Sequence, residues 1–178
     1  MCGIFGYYNF RVNRTRKAIL EFLFTGLRRL EYRGYDSAGI SIDAEPLPPA
    51  AALGNGLSNG LANGHSLPSA NGDSQPVEMA PVVVKSLGNI DCLVTLAHEE
   101  MCERQISLDT VLDHHAGIAH TRWATHGVPS TVNSHPHVSD SSNEFVVVHN
   151  GIITNFKVLK DFLVSLAGIE SLELAAWL

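Results

Sequence analysis

A cysteine stands second in the run MCGIFG, with glycines at positions 3 and 6. Removal of Met1 would give Cys2 both a thiol nucleophile and a free α-amine. Such an amine titrates at about 7.7–8.0, so it can take the thiol proton directly or through one water. No separate catalytic histidine is then needed. Gly3 and Gly6 let the backbone approach another backbone closely. From these six residues alone, an incidental small cysteine is an equal reading.

The other residues with chemical potential are nine histidines, among them the pairs His114–His115 and His135–His137. Neither pair has the HExxH layout, and no acidic partner stands at a diagnostic spacing, so no metal is expected. Loop hydrogen bonds are the expected use, because a neutral imidazole both donates and accepts.

These residues must be held by elements that the hydrophobic pattern locates. From Thr15, a possible cap, Ile19, Leu20, Leu23, Phe24, Leu27 and Leu30 recur at three- and four-residue steps and predict an amphipathic helix. The short basic stretch Arg11 to Lys17 reads as a solvated lead-in to it. Short strands are expected at 38–42, 82–85 and 116–122. The apolar run 145–149 predicts a strand buried on both faces. A helix capped by Asn89 is expected over 90–103, and another, capped by Asn155, through Leu166. Residues 43–76 break the pattern: Asn-Gly recurs at 55, 59, 63 and 71, with prolines at 46, 48, 49, 68 and 76. Such a stretch cannot bury enough side chain to offset its ordering entropy, so it reads as a disordered low-complexity insertion.

With 178 residues and 45% hydrophobic content the chain can bury one ordinary core, so one domain over 1–178 is expected. A net charge of −6 and a pI near 5.8 argue against nucleic acid as a partner. Cysteines at 2, 92 and 102 form neither a disulfide framework nor a zinc ribbon, which fits a reducing cytoplasm. No apolar run spans a bilayer and the start lacks a signal-peptide layout, so no membrane partner is expected.

Four runs follow MCGI in order: YRGYDSAG from Tyr32, HTRWATHG from His120, NSHPH from Asn133 and VHNG from Val148. Together they resemble the glutaminase domain of the glutamine–fructose-6-phosphate aminotransferases, an N-terminal-nucleophile (Ntn) hydrolase family. The likeness covers about 1–42 and 116–166, and is weaker over 82–113. It implies an α+β fold, the family's αββα four-layer sandwich, incomplete in this chain. It also implies hydrolysis of L-glutamine to glutamate and ammonia through a Cys2 thioester, with no cofactor. Arg122 would hold the substrate carboxylate with two parallel donors. Asn150, through its side-chain amide, and Gly151, through its backbone N–H, would form the oxyanion hole. Trp123 would shield the site, Thr125 and His126 would line the glutamine pocket, and Arg33 and Asp36 would lie near the nucleophile. The bland readings are an ion pair for Arg122, core packing for Trp123, an Asn-Gly turn at 150–151 and structural hydrogen bonds for the others.

The likeness fails at 167–178. The family continues into a segment of the form ESETDTE, whose aspartate holds the substrate ammonium, whereas this chain reads AGIESLELAAWL from Ala167. The isomerase domains through which fructose 6-phosphate would enter are also absent. A truncated, catalytically inactive fragment is therefore the alternative, and a purine-pathway type 2 amidotransferase is a further one. Limited proteolysis should cut first within 43–76 and leave the flanking segments associated; protection of that stretch would contradict the disorder reading.

Overall fold

The computed structural model describes residues 2–46, 79–124, 127–139 and 143–167. The chain opens with a long strand, β1 (Gly3–Thr15), and turns into α1 (Arg16–Arg28). A short 3-10 turn (Glu31–Arg33) leads to β2 (Ser37–Pro46), and β3 (Met79–Leu87) pairs beside it. Next come α2 (Ile90–Glu103) and β4 (Val111–Arg122). The two-residue strands β5 (His137–Val138) and β6 (Val146–Val147) pair with each other, and α3 (Phe156–Ala167) follows.

Four strands form one antiparallel sheet in the order β1-β4-β2-β3. Alternation decides which side chains go where. Ala38, Ile40 and Ile42 of β2, Val82 and Val84 of β3 and Ala119 of β4 point to one face and are buried there. Leu20, Leu23, Phe24 and Leu27 of α1 and Ile90, Leu93, Ala97 and Met101 of α2 pack with them as one core. Both caps are built as the sequence suggests. Thr15 Oγ1 accepts from the Ala18 N–H at 3.2 Å, and Asn89 Oδ1 accepts from the Cys92 N–H at 3.0 Å. The mixture of helices with antiparallel sheet makes the fold α+β.

Several boundaries differ from the sequence expectation. β1 was not expected at all, because its residues carry polar groups at Asn9, Arg11, Asn13 and Arg14. Residues 11–15 belong to this strand, which has an irregularity between Phe10 and Arg14 where Arg11 takes φ 55°. Arg16 is not solvated: it is buried, and its guanidinium donates to the Ser107 carbonyl. β4 starts five residues earlier than expected, and so takes in Asp113, His114 and His115. Asp43 to Pro46, assigned to the insertion from sequence, continue β2 by pairing with 79–81 of β3. Residues 47–76, and the atypical end from 168, lie outside the described residues.

The other face of the sheet is covered differently. His135, in the segment 127–139, lies over Gly39 and packs its ring against His120. The run 145–149 was expected to be a doubly buried strand, but only Val146 and Val147 pair, and Phe145 is 68% exposed. Among the described residues β6 has β5 alone for a neighbour, which leaves its other edge and much of its surface uncovered. α3 begins where the Leu159 N–H donates to the Asn155 carbonyl, and Val158, Phe162 and Leu166 on it are exposed. No helix among the described residues is long and apolar enough to cross a membrane.

Gly39 fixes how closely the second face can be covered. A Cβ built there would lie 2.2 Å from the His135 carbonyl oxygen and 3.0 Å from that of Val84, both backbone atoms that cannot swing away. Gly39→Ala should therefore push the 127–139 segment off the sheet and destabilise the fold by about 1–3 kcal/mol. Denaturant unfolding would show this as a lower midpoint. An unchanged midpoint would mean that the segment does not pack here.

Candidate active site

The antiparallel order gathers three chain segments at one end of the sheet. β1 and β2 both begin where β4 ends, because Gly3 pairs with Thr121 and Ser37 with Arg122. Cys2 therefore lies beside Trp123. The Trp123 N–H donates to Cys2 Sγ at 3.3 Å, and the thiol lies 3.6 Å from the Trp123 carbonyl oxygen. The buried Thr121 Oγ1 accepts from the Gly3 N–H at 3.1 Å, which anchors the backbone next to the thiol. Cys2 is a free cysteine with intermediate exposure, so the sulfur is held but reachable.

Asp36 ties the β4 end in place. Its N–H donates to the Arg122 carbonyl at 2.8 Å, and one carboxylate oxygen, Oδ2, accepts from the Ala124 N–H. The other, Oδ1, accepts from the Ser37 hydroxyl at 3.0 Å and lies 3.7 Å from Arg122 Nη1. This carboxylate brackets Trp123 from both sides in the sequence. Arg122 is 8% exposed, so its end of this ion pair is buried, whereas Asp36 is partly exposed. Tyr35, in the same run, donates to Glu31 and accepts from the Ile90 N–H, which joins this loop to the start of α2. Burial, then the neighbouring Glu31, pushes its phenol up to about 12.

The Trp123 indole lies over Gly34, whose φ is +70°. A Cβ there would fall 2.0 Å from the ring, so both the backbone twist and the close contact require glycine. Trp123 remains 46% exposed and is not core packing. Asn150 arrives from the segment after β6. Its Nδ2 donates to the Cys2 carbonyl at 3.1 Å and its Oδ1 lies 2.7 Å from His120 Nε2. Gly151 follows it at the surface. Arg33 lies in the 3-10 turn, and Thr125 and His126 lie outside the described residues.

The structure adds residues that the motifs did not single out for chemistry. Register puts His120 on the face opposite Ala119, so it leaves the helix-side core and meets the covering segment. Its ring lies 4.3 Å from that of His135, which lies 4.2 Å from that of His137. The expected loop hydrogen bonding holds in part: His135 lies in a loop and bonds the Val147 backbone, and His120 bonds the loop residue Asn150. His114 and His115 lie in β4 and His137 in β5, and neither ring nitrogen of the buried His115 has a hydrogen-bond partner. Burial lowers His120 to about 4, opposed by its bond to Asn150 and aided by Arg122. Burial, with neighbouring positive groups, also lowers His135 to about 3 and His137 to about 4. All three are neutral at neutral pH. Among the described residues no group of three His, Cys, Asp or Glu is placed to hold a metal ion.

No protein-family model matches the chain. It is similar to glutamine–fructose-6-phosphate aminotransferase (isomerizing) 1 of Arabidopsis thaliana, at 48% identity over 164 residues, which are 92% of this chain and 20% of the relative. The isomerizing enzyme 2 of Bos taurus is 49% identical over 167 residues, 93% of this chain and 20% of the relative. The Saccharomyces cerevisiae enzyme is 42% identical over 165 residues, 93% of this chain and 18% of the relative. The chain thus spans about a fifth of the length of the curated relatives it matches.

The histidine cluster sets a pH dependence. An unfolded histidine binds a proton near 6.5, whereas the native rings at about 4, 3 and 4 do not. Stability is then complete above 6.5 and falls as the pH drops from there toward 4, since the unfolded state takes up protons that the native state refuses. Urea midpoints measured across this window should decline with uptake of about three protons on unfolding. A flat profile would show that these rings are not buried as a neutral set.

Proposed function

Because the chain belongs by sequence to the glutamine–fructose-6-phosphate aminotransferase family, we propose that it is that family's glutaminase unit, acting on L-glutamine. The observation that carries this reading is the meeting of a thiol from residue 2 with an amide from residue 150. The two are 148 positions apart and joined by a direct hydrogen bond between Asn150 and the Cys2 backbone. The family's αββα layering is part of the same proposal.

With Met1 removed, the α-amine of Cys2 takes the thiol proton and Sγ attacks the side-chain amide carbon of glutamine. The carbonyl oxygen becomes an oxyanion, which Asn150 Nδ2 and the Gly151 N–H stabilise. Collapse of this intermediate breaks the C–N bond, the protonated amine returns its proton to the leaving nitrogen, and ammonia departs. Water then attacks the thioester and releases glutamate. Arg122 holds the substrate carboxylate and Trp123 covers the site; the family likeness assigns Thr125 and His126, which lie outside the described residues, to glutamine binding. Asp36 supports Arg122 and the segment around Trp123, and Arg33 lies nearby in the chain. The ammonia is destined for fructose 6-phosphate in the isomerase domains of the longer relatives, in the cytoplasm.

Glutamate release from L-glutamine tests the reading, with each variant compared to the parent chain. Cys2→Ala should abolish it, and Asn150→Ala should lower turnover by about a hundredfold or more. Intact mass should show Met1 absent from the active protein. Undiminished release by Cys2→Ala would overturn the mechanism.

A further inference from the structure

A side-chain amide has two ends of nearly equal size and opposite hydrogen-bonding character. Which end of Asn150 faces Cys2 decides whether this residue offers an N–H or a carbonyl oxygen there. The Cys2 backbone carbonyl can only accept, so the end turned to it, at 3.1 Å, must be the NH2. Oδ1 at the other end can also only accept, and 2.7 Å from it is His120 Nε2. That nitrogen must then carry a hydrogen.

We propose that His120, as its Nε2–H tautomer, is a positioning residue that holds the Asn150 amide with its NH2 turned toward Cys2. The proposal rests on the reading of Asn150 as an oxyanion donor and names what orients that donor. His120 is 0% exposed and its backbone is fixed inside β4, paired on both sides at Ile4 and Gly39. The His135 ring packs against it at 4.3 Å, which restricts rotation of the imidazole. Its Nδ1 is buried with no hydrogen-bond partner. The Nε2–H tautomer leaves a bare lone pair there, whereas the other tautomer would bury an unsatisfied N–H. It would also set the Nε2 lone pair against Oδ1, at a distance where two acceptors repel. Both ends of the ring therefore select the same tautomer. Asn150 itself is exposed, so the second hydrogen of its NH2 stays available to a bound substrate.

Nitrogen NMR shifts of the imidazole rings in the labelled full chain at neutral pH test the geometry without reference to turnover. A neutral Nε2–H ring at His120 is expected; an Nδ1–H ring or an imidazolium would overturn the proposal. Glutamine kinetics test the consequence. H120L should lower kcat by roughly tenfold or more while KM changes by less than about twofold. H120Q, whose amide can present an N–H near the same place, should recover most of the loss. In the N150A background H120L should cost nothing further, because there is no amide left to orient. A second, additive loss there, or full activity in H120L, would overturn the positioning role. Full activity in N150A would instead remove the oxyanion reading, and the tautomer measurement would still decide the geometry.

Discussion

β4 is hydrogen-bonded along both edges, to β1 on one side and β2 on the other, and the two neighbours start where β4 stops. Register in an antiparallel pair cannot slip by one residue without turning every side chain to the wrong face. Fixing Gly3 opposite Thr121 therefore fixes both the position of the Cys2 thiol and the choice of face at 119–121. Asp36 extends the same constraint past the last paired residue. Each hydrogen bond contributes only about 0.5–1.5 kcal/mol net. Their joint effect is geometric, since Arg122, Trp123 and Ala124 cannot move away from Cys2 without breaking several of them at once.

The two faces of this sheet are packed with opposite kinds of side chain. The helix side is apolar, continuous and almost wholly buried, from Ile19 through Met101. The second side buries polar rings: His120 and His137 are nearly inaccessible, and the Nδ1 atoms of His120 and His135 have no hydrogen-bond partner. Burying polar atoms in this way costs stability. A sheet optimised for packing alone would place Leu or Val at such positions. The polar set fits instead with a face whose residues meet Asn150 and, through it, Cys2.

Much of the helix side was legible in the sequence. Period and capping located α1 at Thr15 and α2 at Asn89, because the determinants of a helix are local. β1 was not legible, since its long edge strand owes its existence to pairing with residues roughly a hundred positions away and carries no clean alternation. The end of β2 was misread for a similar reason: composition marks Asp43 to Pro46 as breakers, yet the β3 ladder holds them extended. At the site, Cys2, Asp36, Arg122, Trp123 and Asn150 stood out in their motifs and meet in space. His120 did not stand out, although its neighbour Ala119 faces the core. Strict alternation along β4 is the signal that would have turned it toward the second face.

An amide donor is useful in catalysis only if its orientation is settled before the charge develops, because reorganising dipoles during the reaction forfeits most of their worth. Asn150 is exposed and leaves the fold through a short segment after a two-residue strand, so little in its own backbone environment fixes the side chain. Its order must come from its partners. The Cys2 carbonyl binds one end and the buried His120 ring the other, and β4 holds both partners through the pairing of Gly3 and Ile4 with Thr121 and His120. The Asn150 amide and the Cys2 thiol are thus referred to the same strand. Neutrality matters here too. A ring held near 4 by burial carries a single hydrogen at neutral pH, and the one nitrogen with an acceptor in reach determines where that hydrogen sits.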